Sequence, residues 1–235
     1  MFFTTFGKNV GIVLLMFLVA CSATRENPDP HRGFNKDMLE FNLMADKKVL
    51  KPAAETYQGV TSDAVREGVS NFLQNLKEPF FFVNYSLAGE AECAASSLFR
   101  FSINSTIGIL GFLDIAERIG LSKKETSFKT TLKKWGVPTG DYLVLPLLGA
   151  SSTRDTISEP IAWYADPVGY YIGFPYMLAK AILSTISDRA ENSKIIDANL
   201  NNTMDPYFSI RSLYLQKYGT DDVDNTEDAE DNSSF

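Results

Sequence analysis

The sequence predicts an all-α body, and three observations carry that reading. Apolar residues recur at i, i+4 and i+7 along much of the chain, and Ser, Thr or Asp stand ahead of several of these runs as helix caps. No convincing strand pair and no internal repeat interrupts the pattern. With 45% hydrophobic residues, the chain can fill one large core or two small ones.

Residues 1–20 read as a signal peptide and not as part of the body. A lone Lys8 precedes an apolar run that begins near Val10 and closes on Leu18-Val19-Ala20-Cys21. The run has signal-peptide length, with a small residue ahead of the cut. The Cys at the cut resembles a bacterial lipoprotein signal, in which the thiol carries diacylglycerol and the mature chain starts at that Cys. Cys21 is therefore the expected lipid attachment site. Two or three acyl chains hold a protein to a bilayer without spanning it. Ser22, where Asp marks inner-membrane retention in lipoproteins, points to the outer membrane. Residues 21–33, with Asn27, Pro28, Pro30 and Gly33, read as a lipidated tether.

The helical body is expected over residues 34–218. Phe34, Met38, Phe41 and Ala45 set a first apolar stripe. Val65, Val69, Phe72, Leu73 and Leu76 set a second behind a Thr61-Ser62-Asp63 cap. Pro79 to Leu87 and Glu90 to Ser105 follow, parted by Gly89. Ser122-Lys123-Lys124-Glu125 has capping-box spacing ahead of Phe128, Leu132 and Trp135, with Lys123, Lys124, Lys129, Lys133 and Lys134 giving that helix a basic side. Met177, Ala181, Ile182 and Ile186 form a further stripe, and Asp205-Pro206 offers an N-cap and an N1 proline to a helix from Tyr207 to Tyr218.

Three apolar segments are broken in ways unlike the helices of a soluble protein. Gly108 and Gly111 interrupt Ile107 to Leu113, and Pro146 interrupts Tyr142 to Ala150. Pro160 to Leu183 carries only Asp166 and Lys180 as charges, yet contains Pro167, Gly169, Gly173 and Pro175, so it cannot be one straight helix. Its aromatics, Trp163, Tyr164, Tyr170, Tyr171, Phe174 and Tyr176, are types that also build an aromatic core, but in a domain held against a bilayer by a lipid anchor they are expected to settle at the membrane interface.

Charge and composition exclude several functions. The net charge of −7 comes from a tail, residues 219–235, whose Asp221, Asp222, Asp224, Glu227, Asp228, Glu230 and Asp231 face no base and predict disorder. Without that tail the acids equal the 22 bases, which leaves no basic excess for nucleic acid. Cys93 is the only cysteine besides Cys21, so no disulfide is expected within the body, and its helical surroundings predict a small buried thiol. The single histidine, His31, sits in the tether, away from any serine it would have to activate. No nucleophile elbow, metal-ligand spacing, or phosphate-binding glycine pattern is present, so no enzyme activity, catalytic residue, metal or cofactor is expected.

Several segments together resemble the MlaA (VacJ) family of outer-membrane lipoproteins. They are Gly33-Phe34-Asn35-Lys36-Asp37-Met38 with Phe41-Asn42, Val49-Leu50-Lys51-Pro52, Asn71 through Pro79, Arg100 through Gly108, Trp135-Gly136-Val137, Tyr142 through Gly149, Ser152-Thr153-Arg154-Asp155, and Asp205-Pro206-Tyr207. Their order and spacing match from about Asp29 to Tyr218. The resemblance implies a ring-shaped helical body in the periplasmic leaflet of the outer membrane, with a central amphipathic channel. It implies a component that takes mislocalised phospholipid from the outer leaflet and passes it to a soluble periplasmic carrier of the Mla pathway, while held in a trimeric porin. The competing reading is a structural porin-binding lipoprotein that moves no lipid.

The same resemblance suggests site residues. Asn42 and Leu43 would lie near the channel entrance, Asn42 needing a hydrogen-bond partner if buried and Leu43 being equally explained by core packing. Gly108 and Gly111 would lie near the channel, because irregular backbone at membrane depth must be buried in protein or line a cavity. Arg154 and Asp155 would line it or pair with each other, while Ser152 to Asp155 also reads as a helix cap. A gating hairpin would run from about Phe128 to Gly140, including Trp135 and Gly136. Lys133 stands where the family commonly has glycine and Asp141 where it often has proline, which narrows that hairpin's backbone freedom.

Overall fold

The computed structural model describes residues 29–201 and 203–218. The signal peptide, Cys21 and the acidic tail lie outside them. Twelve α-helices and one small hairpin make up the described body: α1 (Arg32–Ala45), α2 (Lys51–Val60), α3 (Asp63–Asn75), α4 (Glu78–Leu87), α5 (Ala91–Thr106), α6 (Ile115–Arg118), α7 (Phe128–Lys134), β1 (Tyr142–Leu145), β2 (Gly149–Ser152), α8 (Thr153–Ala165), α9 (Pro167–Ile172), α10 (Phe174–Glu191), α11 (Ser193–Asn201) and α12 (Pro206–Tyr218). A π-helical turn, Asp46–Leu50, joins α1 to α2. No helix among the described residues is long and apolar enough to cross a membrane.

The expected caps hold at two places. Ser62 accepts the Val65 N–H at 3.4 Å to start α3. Asp205 accepts the N–H groups of Tyr207 and Phe208 at 2.9 and 3.2 Å to start α12. Pro79 falls in the first turn of α4, where its missing N–H costs nothing. The segment from Pro160 to Leu183 is indeed divided, with Asp166-Pro167 and Gly173 (φ +97°) separating α8, α9 and α10.

Two expectations are corrected. Residues 142–152 form an antiparallel hairpin where no strand pair was expected, with Tyr142 facing Ser152 and Leu145 facing Gly149. A short apolar run broken by proline has no readable period, and here Pro146 opens the loop while Leu147 (φ +64°) turns it. The Ser122 capping box starts no helix: residues 121–127 are irregular, and α7 begins at Phe128. The Lys123 N–H goes instead to Glu117 Oε2 at 2.9 Å, and the Leu121 carbonyl accepts from Arg100. Tertiary partners override the local cap.

The core has two apolar clusters and a buried polar hub. Leu39, Tyr142, Val144, Tyr207 and Tyr214 join α1, β1 and α12, with Leu43 packed against them. Phe81, Tyr85 and Ala94 join α4 to α5, with the half-buried Cys93 at their side. Between α4, α5 and α6, the fully buried Arg100 bonds Glu78 at 2.7 Å and Asp114 at 2.8 Å, while Asn104 holds Asp114 at 3.0 Å. A second ionic knot ties the π turn to α10 and α11, Arg189 bonding Asp46 at 2.8 Å and Asp197 at 2.7 Å. His31 is less detached than its place in the tether suggested, since its Nε2 lies 3.4 Å from Asp141.

Candidate functional site

The break between α8, α9 and α10 opens a cavity. Pro167 forbids continuation of α8, and Gly173 with Pro175 restarts the chain as α10, which packs on α2 and α3 and faces the first turn of α4. Between them lies a cavity of about 370 Å³ walled by Phe80, Phe81, Ala162, Phe174, Met177, Leu178 and Ala181. Its polar lining consists of Lys77, Asp166, Lys180 and Ser184. An apolar wall with a few placed polar groups is the usual form of a small-molecule site.

The charges in this wall are ordered. Lys180 and Asp166 pair at 2.9 Å with little exposure of either side chain. Asp166 also caps α9 through the Val168 N–H at 3.1 Å, so one carboxylate serves the helix start and the cavity. Lys180 donates to the Leu76 carbonyl at 3.4 Å and lies 5.9 Å from the centre of the Tyr176 ring. Burial pushes the Tyr176 phenol up to about 12, so it stays a neutral hydroxyl. Nothing in this arrangement pairs an activated nucleophile with a base. It suits an amphiphile held by its apolar part with a charged end at the lysines.

The residues singled out from sequence fall elsewhere, and none lines this cavity. Asn42 finds its partners on the hairpin turn, donating to the Leu145 carbonyl at 2.8 Å and accepting the Leu147 N–H at 2.7 Å. Asn35, two turns earlier, does the same to the Tyr142 carbonyl and the Val144 N–H at 3.0 and 2.8 Å. The two amides dress the free edge of β1 as a third strand would. Leu43 packs on the core cluster beside them.

Gly108 and Gly111 shape the turn after α5. A Cβ at Gly108 would meet the Leu113 carbonyl at 2.3 Å, and one at Gly111 would meet Asn75 Cβ at 2.5 Å. The turn leaves Ile107, Ile109 and Leu110 about two-thirds exposed, with Ile109 and Leu110 both in the left-handed region. Such a conformation costs an ordinary side chain about 1–2 kcal/mol.

Arg154 and Asp155 are both buried, 3.6 Å apart, and Ser152 caps α8 by accepting the Asp155 N–H at 3.1 Å. The ion pair and the helix cap are thus both present. Asp155 also accepts from the Tyr214 hydroxyl at 3.1 Å, and burial drives that phenol's pKa up. Phe128 to Gly140 is helix α7 followed by a turn at Gly136 (φ +81°) and irregular chain that ends on Gly140 (φ +72°). Phe128 is buried edge-on to Trp135, whose indole donates to the Leu87 carbonyl at 3.1 Å. Arg154 Nη1 holds the Val137 carbonyl at 3.2 Å.

Sequence reasoning missed the cavity residues Lys77, Phe80, Met177 and the Asp166–Lys180 pair as a site. The available signal was that Asp166 and Lys180 are the only charges in the long apolar segment. Charges in such a setting must find partners, and here they find each other.

Known proteins place this geometry. The family model for the MlaA lipoprotein matches residues 27–220. The intermembrane phospholipid transport system lipoprotein MlaA of Escherichia coli K12 is 31% identical over 211 residues, covering 86% of this chain and 82% of its own. An uncharacterized protein of Rickettsia typhi is 36% identical over 185 residues, covering 78% and 74%. A solved structure from work on the structural basis for maintenance of bacterial outer membrane lipid asymmetry superposes with a TM-score of 0.72 at 32% identity, covering 81% of this chain and 97% of that one. The mostly helical fold, the matched length and these relatives agree: the chain belongs to the MlaA lipoprotein family.

Proposed function

We propose that the chain is a phospholipid-transport lipoprotein that removes mislocalised phospholipid from the outer leaflet of the outer membrane and so maintains lipid asymmetry. The observation that carries this reading is the cavity beside α10, whose apolar wall and Lys180–Asp166 pair suit the two ends of an amphiphile. Family membership supports the same reading, since the relatives from Shigella flexneri and Escherichia coli K12 are named for intermembrane phospholipid transport.

The finer reading is a ring-shaped body anchored through Cys21 in the periplasmic leaflet. It is held in a trimeric porin and hands phospholipid to a soluble periplasmic carrier without performing chemistry on it. Support for membrane embedding comes from side chains that water would not favour. Tyr170, Tyr171, Ile172 and Phe174 around α9, and Ile107, Ile109 and Leu110 after α5, are all more than 60% exposed. Large exposed apolar patches mark membrane or protein contacts.

Photo-crosslinking tests the proposal. A photoreactive residue at Met177, in purified lipidated protein mixed with radiolabelled phospholipid, is expected to capture lipid, and one at the exposed Val60 is not. Equal capture at both positions, or none at Met177, contradicts it.

A further inference from the structure

We infer that Lys77 makes the cavity beside α10 selective for phospholipids of net negative charge over zwitterionic ones. This rests on the lipid-conduit reading above and deepens it. Of the charged groups lining the cavity, Lys180 and Asp166 neutralise one another at 2.9 Å. Asp166 is further occupied by the Val168 N–H, and Lys180 by the Leu76 carbonyl. Lys77 has no carboxylate within ion-pair distance among the described residues, although it is half-buried at the start of α4. Its sequence neighbour Glu78 cannot serve, because that carboxylate is fully buried on Arg100.

The lining therefore carries one uncompensated positive charge beside an apolar wall. A ligand with an acyl chain and one net negative charge satisfies both features. A zwitterionic headgroup satisfies them less well: its phosphate can meet Lys77, but its ammonium finds the cavity's one carboxylate already committed. Lys77 lines the same cavity as the Lys180–Asp166 pair, and the headgroup end of the ligand is placed at these charges.

The test uses the full-length lipidated protein in detergent with a photoreactive residue at Met177. It is exposed to mixed micelles holding equal amounts of radiolabelled phosphatidylglycerol and phosphatidylethanolamine. At low salt the wild-type background is expected to capture the anionic lipid about fivefold more, the scale of one screened charge contact, and the ratio falls as salt rises. Lys77→Gln brings the ratio near one by lowering capture of the anionic lipid, Lys77→Glu inverts it, and Lys77→Arg keeps it. A wild-type ratio of one, or a preference that survives Lys77→Gln, overturns the role of Lys77 while leaving lipid capture intact. Capture of neither lipid at Met177 overturns the conduit reading as well.

Discussion

The side-chain carbonyl of Asn42 accepts the Leu147 N–H at 2.7 Å, joining the end of the first helix to the tip of the hairpin 105 residues further along the chain. The other arm of the same amide holds the Leu145 carbonyl, so one side chain closes the turn on both sides of Pro146. Asn42→Ala leaves both backbone groups unpartnered. A loss of about 1–3 kcal/mol is expected, read as a lower urea midpoint of the purified protein. Asn42→Asp, which keeps the acceptor and loses the donor, should fall between wild type and Ala.

Gly108 is fixed by space, since its missing Cβ faces two backbone carbonyls, those of Leu113 and Asn104, at 2.3 and 2.6 Å. Gly108→Ala is expected to destabilise by about 2–3 kcal/mol. Thermal melting reads this loss, and Gly33→Ala, at a glycine with open space around it, should have little effect on the melting temperature.

The Arg100 hub gives the protein a two-sided pH dependence. Burial raises the Glu78 pKa against the pull of Arg100, so the folded state holds that proton more tightly than the unfolded one. Its contribution to stability is full below the usual glutamate value near 4.5 and lost as pH rises through the raised value. Asp114 runs the other way. Although burial opposes it, hydrogen bonds from Arg100, the Glu117 N–H and Asn104 lower its pKa. Its contribution is present above about 3.8 and lost as pH falls further. Urea unfolding across pH should show Glu78→Gln flattening the slope above 4.5, and Asp114→Asn flattening it below 3.8.

Trp135 pins the turn after α7 to the end of α4 through its indole N–H. Trp135→Phe keeps most of the edge-on packing against Phe128 and removes the hydrogen bond. Hydrogen exchange is expected to quicken across residues 128–140 and not across α5. If that segment gates lipid passage, the variant should also alter the rate of lipid capture in the crosslinking assay.

Much of the helical framework was legible because its signals are local. Ser62 and Asp205 cap the helices they precede, and Pro79 sits where a first-turn proline belongs. The breaks at Pro167 and Gly173 were legible for the same reason, although the cavity they create was not. The hairpin escaped because its β1 edge is completed by Asn35 and Asn42 from a distant helix, a partnership no period reveals. The Ser122 box misled because Arg100 and Glu117 claim the backbone it would have capped. The site residues suggested by resemblance build the hairpin brace, the turn after α5 and the start of α8, while the cavity draws on Lys77, Asp166 and Lys180, which are far apart in sequence and meet only through the tertiary fold.

Lipid removal through this body is read in living cells as the level of outer-leaflet phospholipid. Deletion should raise outer-leaflet phospholipid, read as lipid A palmitoylation or phospholipase sensitivity. Wild-type protein should restore the low level, whereas Cys21→Ala and the cavity-filling Ala181→Trp, expressed at equal amounts, should not. An outer leaflet unchanged by deletion, or fully restored by Ala181→Trp, would contradict the account.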